Sequence, residues 1–481
     1  MEKSCVTDVG DDKGRKERIV MREVRIVAEP FVFVSYLSVE CVKELNEHGY
    51  IKIRGRIKAE NVASYLGYAS AETWVKVKLV SDEGLVRNYF TGILTGFYIE
   101  KEGEVHILNI EVKTGSFLLG IKRHIRSFQT EGFLYSKMAE ICVKDEGAEC
   151  IMEKPVDIPA DGLVLQYQET DWEFLRRIAS YAGVPLIATD SMPGKNCCLG
   201  YQGNEAVVME ANDFRMEQEN EEFLKRRAEG NAAVEDYLYY IVNSREVYDL
   251  GVSVIFAGKQ WVIGKIVSRL KGQELDHEYW LVSRGRGVLK PIYNHDLTGV
   301  SVKAHVTAVE KTVVCVQIEK DENKKECGAR WFDYATIYST PDGTGWYCMP
   351  ETGDEVRLVV PGYKEAEAYV ASSMHLGEAG GRTDPDIKFW KNKQNKEIRF
   401  TPDSIVLTNN AGNQVEISDS AGIRIVSDRD ITLQAGGDME IKSHNAAVSI
   451  DADSEILLQQ KTAVVRVNDE INIAGGKIYM N

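Results

Sequence analysis

The chain has 481 residues, of which 44% are hydrophobic and 27% charged, and its formal net charge is −16 at pH 7. This balance is typical of a soluble globular protein, and the length predicts roughly three domains. The negative charge argues against nucleic acid as the main partner, because phosphate binding needs a basic face. No apolar run is long enough for a membrane-spanning helix.

Residues 1–20 are rich in charged side chains and contain no apolar core segment. We therefore predict a disordered tail here and no secretory signal. Without such a signal, the nine cysteines are expected to be reduced thiols. The eight histidines are scattered, and neither an H-x-x-x-H nor a C-x-x-C spacing occurs. The sequence therefore predicts no metal site and no cofactor.

Residues 21–290 alternate strand-like runs with turns rich in Gly, Asn and Glu, a pattern that predicts small β-barrels. A helix is predicted over residues 130–144, where apolar residues recur at helical spacing. Another is predicted over residues 220–244, which are rich in Glu, Arg and Ala. A strand pair with its turn at Gly258 and Lys259 is expected to follow.

The best-marked helix lies between these two. Thr170 or Asp171 can cap its N-terminus, and Gly183 is placed to end it. Trp172 and Phe174 belong to this helix, and we assign them to the core or to a subunit interface.

Residues 291–375 contain five short strand-like runs with glycine turns, which predicts a small closed barrel of the oligonucleotide/oligosaccharide-binding (OB) type. Its aromatic residues are not clustered with Lys or Arg, so packing is favoured over nucleic-acid binding. Glu351 and Asp354 are a candidate pair of catalytic carboxylates. Pro350 and Gly353 are instead typical of a turn, and we favour that interpretation.

Residues 397–481 repeat an apolar-x-apolar pair, mostly eight or nine residues apart, with no aromatic residue between Thr401 and Ile478. Such a repeat indicates a quasi-linear architecture. Two aliphatic side chains contribute about 3–6 kcal/mol when fully buried. Ordering eight residues costs roughly 8–16 kcal/mol of backbone entropy. One chain therefore needs a second apolar layer from elsewhere.

Three identical chains wound around one axis would supply that layer. Every strand would then pair with strands of the neighbouring chains, which also removes exposed sheet edges. A single-chain β-solenoid is the alternative. We call the assembly of three wound chains the needle. The residues predicted to form its apolar core are Val415, Ile417, Ile423, Ile425, Ile431, Leu433, Met439, Ile441, Val448 and Ile450.

Three further segments resemble motifs of one known family. An Arg-Ser-Phe-Gln turn between a strand and a helix lies in GSFLLGIKRHIRSFQTEGFLYSKMAEICV, residues 115–143. A Gln-Tyr-x-Glu-Thr-Asp helix start lies in LQYQETDWEFLRRIASYAGVPLIAT, residues 165–189. A Gly-x-Gly-Trp to Met-Pro-Glu-x-Gly-Asp-x-Val stretch lies in STPDGTGWYCMPETGDEVRLVVPG, residues 339–362. With the repetitive tail, these motifs make the chain similar to VgrG, the trimeric spike of type VI secretion, and to the hub-spike proteins of contractile phage tails and related injection systems.

The resemblance implies a mainly β fold with a few helices. Its parts would be hub β-barrel domains over residues 21–290, an OB-fold barrel over 291–375, a collar over 376–396 and a C-terminal triple-stranded intertwined β-helix needle over 397–481. The implied function is that of a homotrimeric, structural, non-enzymatic spike that caps a tube and pierces the target envelope, carrying effectors or a tip protein.

The implied partners are the inner tube protein, baseplate proteins, possible effectors and a PAAR-repeat tip protein. We expect assembly in the cytoplasm as part of an injection particle, followed by delivery outside or into the target cell on contraction. Exposed strand ends beside an apolar patch would form the docking surface for the tip protein. The residues assigned to this surface are Lys477, Ile478, Tyr479, Met480 and Asn481.

A trimeric adhesin or tail-fibre-like receptor-binding protein is the alternative function. Adhesins usually carry binding domains at the free end of a stalk, whereas this sequence finishes with the predicted stalk. A hydrolase fused to the spike is disfavoured, because residues 376–395 are too few for such a domain. His444 is expected to lie in a turn, which disfavours an axial metal site there.

Overall fold

The structure is a computed structural model, and it describes residues 24–70, 72–81, 84–152, 156–201, 203, 205–211, 213–228, 234–373 and 384–467. Residues 1–20, the predicted disordered tail, lie outside the described part. The chain divides into two compact units, residues 1–375 and 376–481. Strands predominate in both units, which confirms the predicted mainly β fold. No helix of the described chain is long and apolar enough to cross a membrane.

The first unit contains the α-helices and most of the strands of the described chain. The helices are α1 (Val62–Leu66), α2 (Tyr135–Asp145), α3 (Asp171–Ala182) and α4 (Asn220–Ala228). Its strands are β1 (Val24–Glu29), β2 (Ser35–Glu44), β3 (Tyr50–Ile57), β4 (Trp74–Ser81), β5 (Val86–Glu102), β6 (Val105–Thr114), β7 (Arg123–Phe128), β8 (Cys150–Ile151), β9 (Val164–Thr170), β10 (Leu186–Ala188), β11 (Cys197–Leu199), β12 (Val207–Val208), β13 (Phe214–Gln218), β14 (Leu238–Ser244), β15 (Ser253–Phe256), β16 (Lys259–Lys271), β17 (Glu274–Val282), β18 (Val300–Glu310), β19 (Val313–Ile318), β20 (Trp331–Asp333), β21 (Glu355–Val360) and β22 (Tyr369–Ala371).

Twelve of these strands form one sheet, in the order β1-β4-β5-β6-β3-β2-β16-β17-β14-β13, with β15 beside β16 and β12 beside β15. Residue alternation explains which face is buried. In β4, Val75, Val77 and Leu79 are buried, whereas Lys76 and Lys78 between them reach the surface. Two hydrophobic cores pack against the sheet, one around β1 to β6 and the other around β14 to β17. The predicted strands of the hub region therefore share one continuous sheet.

Helix α3 begins and ends where the sequence predicts. The Thr170 hydroxyl accepts a hydrogen bond from the Glu173 N–H (3.2 Å), and the Glu173 carboxylate accepts one from the Thr170 N–H (2.9 Å). Gly183, with φ of 66°, follows the last turn. Trp172 and Phe174 are buried in the hydrophobic core that α3 shares with α2.

The predicted helix over residues 220–244 is only partly correct. Helix α4 ends at Ala228, and the end of the segment forms strand β14. The run LYYIV within β14 is aromatic and β-branched, and it pairs with β17, where Tyr240 lies opposite Leu281. The strand partner thus overrides the helical composition of the flanking residues. The predicted hairpin follows, with its turn at Ala257 and Gly258, one residue earlier than expected.

Strands β18 to β22 form a five-stranded sheet in the order β20-β19-β18-β21-β22. A parallel bridge between Tyr334 and Val370 joins its two edges. The bridge therefore closes the five-stranded sheet, as a small barrel requires. The segment before β21 is a turn, in which the Glu351 N–H donates to the Asp354 carboxylate (2.8 Å) and Gly353 has φ of 91°. The favoured turn interpretation is therefore correct.

A buried ionic cluster connects α3 to this barrel within the first unit. Two guanidinium nitrogens of Arg177 donate to the Glu169 carboxylate (2.9 and 2.7 Å), and a third donates to Glu365 (2.6 Å). The Arg177 side chain is 0% exposed. Burial alone lowers the pKa of Arg177, but the two carboxylates outweigh it and raise that pKa well above its ordinary value. Arg177 therefore stays charged and holds the barrel to the helix.

The second unit begins with a five-stranded antiparallel sheet in chain order, made of β23 (Lys388–Lys391), β24 (Glu397–Phe400), β25 (Ser404–Thr408), β26 (Gln414–Ser418) and β27 (Gly422–Val426). A separate hairpin consists of β28 (Ile456–Gln460) and β29 (Ala463–Val467). Strand β23 lies within residues 376–396, which the resemblance assigns to a collar.

The intrachain pairing corrects one sequence-based prediction. We predicted that every needle strand pairs with neighbouring chains, but β24, β25 and β26 have both edges paired within their own chain. Short turns explain the difference. Gly412 (φ 100°) and Gly422 (φ 76°) reverse the chain between successive strands, which lets each strand fold back on the previous one.

Candidate functional site

One face of the β23–β27 sheet carries two rows of apolar side chains, which we call the apolar face. Residues directly opposite one another across the ladders form each row. Side chains alternate between the two faces of a sheet, so both rows lie on the same side. The first row is Trp390, Ile398, Leu407, Val415 and Ile425, and the second row is Phe400, Ile405, Ile417 and Ile423.

The opposite face of the same sheet is mainly polar. Arg399 lies opposite Val406, which lies opposite Glu416, and Glu416 lies opposite Arg424. The alternation therefore separates a polar side, suited to water, from an apolar side that needs another layer.

The apolar face is exposed in the isolated chain. Ile423 is 71% exposed, and Ile425 and Leu407 are 56% and 53% exposed. Most predicted needle-core residues share this exposure, and Val415 is half-buried. The exposed ones are Ile417, Ile423, Ile425, Ile431, Leu433, Met439, Ile441, Val448 and Ile450. A contiguous apolar surface of this kind is typical of an interface.

The first row continues beyond the sheet. Its five residues and Ile431 together line an open groove of about 690 Å³. Ile431 follows the last strand of the sheet, so the apolar pattern extends into the next part of the chain.

Residues 427–455 contain no helix or strand. Within residues 430–454, the described chain makes no backbone-to-backbone hydrogen bond. This stretch nevertheless keeps the apolar-x-apolar spacing, in Ile431/Leu433, Met439/Ile441 and Val448/Ile450. The Ala446 N–H donates to the Ser443 hydroxyl (3.2 Å). Most other backbone donors and acceptors of this stretch are available for pairing outside the chain.

Sequence reasoning missed the start of the apolar face, at Trp390, Ile398 and Phe400. A signal was present, because Ile398 and Phe400 form the same apolar-x-apolar pair as the repeats that follow. The predicted tip-docking residues, Lys477–Asn481, lie outside the described residues. His444 is exposed.

No protein-family model matches the chain, and no curated protein matches it. Its fold is similar to those of solved VgrG and type VI secretion proteins.

Two solved proteins are similar to it in particular. The first is the E. coli c3393 protein, described as a component of the type VI secretion system with structural similarity to the T4 bacteriophage tail proteins gp27 and gp5. It is 12% identical, the match covers 73% of this chain and 100% of that chain, and the TM-score is 0.50. The second is a chain of the Francisella PdpA–VgrG complex in its lidded form. It is 8% identical, with 85% and 81% of the two chains covered and a TM-score of 0.53. The likeness concerns the fold, and at that level it confirms the predicted resemblance.

Proposed function

We propose that the chain is the structural, non-enzymatic central spike of a contractile injection machine. In this role it caps the tube and pierces the target envelope when the machine contracts. The observation that carries the proposal is the apolar face followed by residues 430–454, which make no backbone-to-backbone hydrogen bond in the described chain. The fold shared with VgrG-type and phage tail proteins supports it.

The working form is a homotrimer. Each large aliphatic side chain contributes about 1.5–3 kcal/mol when it passes from exposed to fully buried. Three apolar faces meeting around one axis would bury them together, and the unpaired backbone of residues 430–454 would gain ladder partners from neighbouring chains. The intertwined part of the needle therefore begins after β27, and the intrachain β23–β27 sheet precedes it.

The partners of the trimer are the inner tube protein, the baseplate and possible effectors. Assembly takes place in the cytoplasm within an injection particle, and contraction delivers the spike outside or into the target cell. The first unit, with its continuous sheet, provides the surface that seats the tube.

The function is tested by locating the chain in sheathed particles. Particles are purified by sedimentation from cells that make the protein, and the chain is labelled with gold-coupled antibody for electron microscopy. We expect gold at one end of each particle, three copies of the chain per particle, and loss of target-cell killing when the gene is deleted. Gold spread over the producing cell surface, without particles, would instead indicate an adhesin.

The needle end is proposed to seat a separate PAAR-like protein through Lys477–Asn481. Deleting these five residues is expected to abolish co-purification of that protein, because its docking groups are lost. The truncated spike should remain a trimer, since the apolar face is unchanged, and its mass in solution serves as the control. If the truncated trimer still retains the partner, the docking surface lies elsewhere.

A further inference from the structure

Three side chains with metal-binding groups converge in the first unit. His124 lies in β7, Asp171 is the first residue of α3, and Glu146 follows the end of α2. The side chains of His124 and Asp171 are each 1% exposed, and that of Glu146 is 20% exposed. One ligand atom from each lies within 4.8 Å of the other two.

In His124 and Glu146, the side-chain polar atom that faces away from the cluster is held by a hydrogen bond. His124 Nδ1 is hydrogen-bonded to a Glu322 carboxylate oxygen (2.7 Å), and the second oxygen of Glu322 accepts the Ile125 N–H (3.3 Å). Glu146 Oε2 accepts a hydrogen bond from Lys195 (2.7 Å). These contacts leave His124 Nε2 and Glu146 Oε1 directed toward the centre of the cluster.

Asp171 is held in the same way. Its Oδ1 accepts hydrogen bonds from Arg126 (2.5 Å) and Gln166 (2.9 Å). Its Oδ2 lies 3.3 Å from His124 Nε2, and Glu146 Oε1 lies 4.0 Å from that nitrogen. His124 Nε2 is itself buried and has no hydrogen-bond partner in the described structure. A buried nitrogen without a hydrogen-bond partner, facing two carboxylate oxygens, indicates a site for a bound ion.

We propose that His124 Nε2, Asp171 Oδ2 and Glu146 Oε1 bind one divalent transition-metal ion of the Zn²⁺ type. Zn²⁺ takes imidazole nitrogen and carboxylate oxygen at about 2.0–2.2 Å in tetrahedral geometry, which places its ligand atoms about 3.4 Å apart. The 3.3 Å separation already fits, and the 4.0 Å separation closes with a small movement of the partly exposed Glu146. With Nε2 on the metal, His124 Nδ1–H donates to the Glu322 carboxylate, which is the carboxylate–histidine arrangement that orients metal-bound imidazoles.

Three carboxylates, those of Asp171, Glu146 and Glu322, meet at the cluster. Arg126 and Lys195 donate hydrogen bonds to the first two of them, and the charge of Lys122 also acts on Glu146. A proton on His124 would also balance the carboxylates, which makes a metal-free imidazolium cluster the competing outcome. A bound ion would additionally connect β7, α2 and α3, and so stabilise the helical part of the hub. The fourth coordination position would open toward the exposed side of Glu146.

The test uses the full-length protein without a histidine tag, stripped of metal with chelator. Zn²⁺ binding is measured by isothermal titration calorimetry, and bound zinc is measured by mass spectrometry after desalting. We expect one Zn²⁺ per chain and a higher unfolding temperature with Zn²⁺ than with chelator. His124→Gln should abolish this binding, and Glu322→Gln should weaken it by about 10–100-fold.

Matched controls separate this site from adventitious binding. Glu146→Gln removes a ligand and should abolish stoichiometric binding, whereas Glu140→Gln, on the exposed surface of α2, should leave it unchanged. His106→Gln, in β6, should also have no effect. The proposal is overturned if the stripped protein takes up no zinc, or if His124→Gln and Glu146→Gln still retain one ion per chain. A protein whose unfolding temperature is unaffected by Zn²⁺ and by chelator would also overturn it.

Discussion

The substitution Ile431→Asp is expected to prevent the protein from forming its trimer. In the proposed trimer, the three introduced carboxylates would meet near the axis, and each unpaired buried charge costs several kcal/mol. In a monomer the same change would have little effect, because Ile431 is 55% exposed in the isolated chain. Light scattering and thermal melting of the variant therefore distinguish the two states.

The neighbouring substitution Asp430→Asn is the matched control. Asp430 is also exposed in the isolated chain, where it lines the same groove as Ile431. In the paired strand of the proposed needle, the period of two would turn its side chain away from the axis. The substitution should change the free energy of unfolding of the trimer by less than about 0.5 kcal/mol, as is usual for surface positions. Equal effects of the two substitutions would show that the assignment of inward and outward residues is wrong.

Replacing Arg177 with Met is expected to destabilise the first unit by about 3–5 kcal/mol. The change leaves the carboxylates of Glu169 and Glu365 buried without their shared counter-charge. Urea unfolding of the full-length protein, followed by intrinsic fluorescence, measures the loss. Adding Glu365→Gln to the variant should recover part of it, because one unpaired charge is removed.

Arg176→Met serves as the control for this prediction. Arg176 pairs with Glu47 at 3.0 Å, but the two side chains are 31% and 52% exposed. Surface ion pairs of this kind contribute about 0–1 kcal/mol. If both Arg variants lose the same stability, the buried cluster is not what holds the barrel to α3.

Local signals in the sequence predict much of the fold. The cap residue Thr170 and the terminating Gly183 define α3, because the groups that satisfy its ends are near in sequence. The turn at Gly353 is also predictable, since a positive φ favours glycine. Alternating apolar residues likewise predict the strands and the side of the sheet that is buried.

Long-range pairing is what the sequence does not reveal. Glu365 lies far along the chain from Arg177, and His124, Glu146 and Asp171 come from three separate elements. Such clusters depend on tertiary packing, which leaves no periodic signal. The apolar-x-apolar repeat predicts an unmet apolar face, but it does not say whether a strand pairs within its own chain or with another. In the β23–β27 sheet, the turn glycines Gly412 and Gly422 make successive strands pair within their own chain.

The mass of the full-length protein in solution tests the central claim most directly. Size-exclusion chromatography with multi-angle light scattering should give about three times the chain mass of 54.0 kDa. The value should persist at micromolar concentrations, since the trimer buries an apolar face on every chain. A monodisperse species of one chain mass, with residues 430–454 protected from proteolysis, would contradict the intertwined trimer.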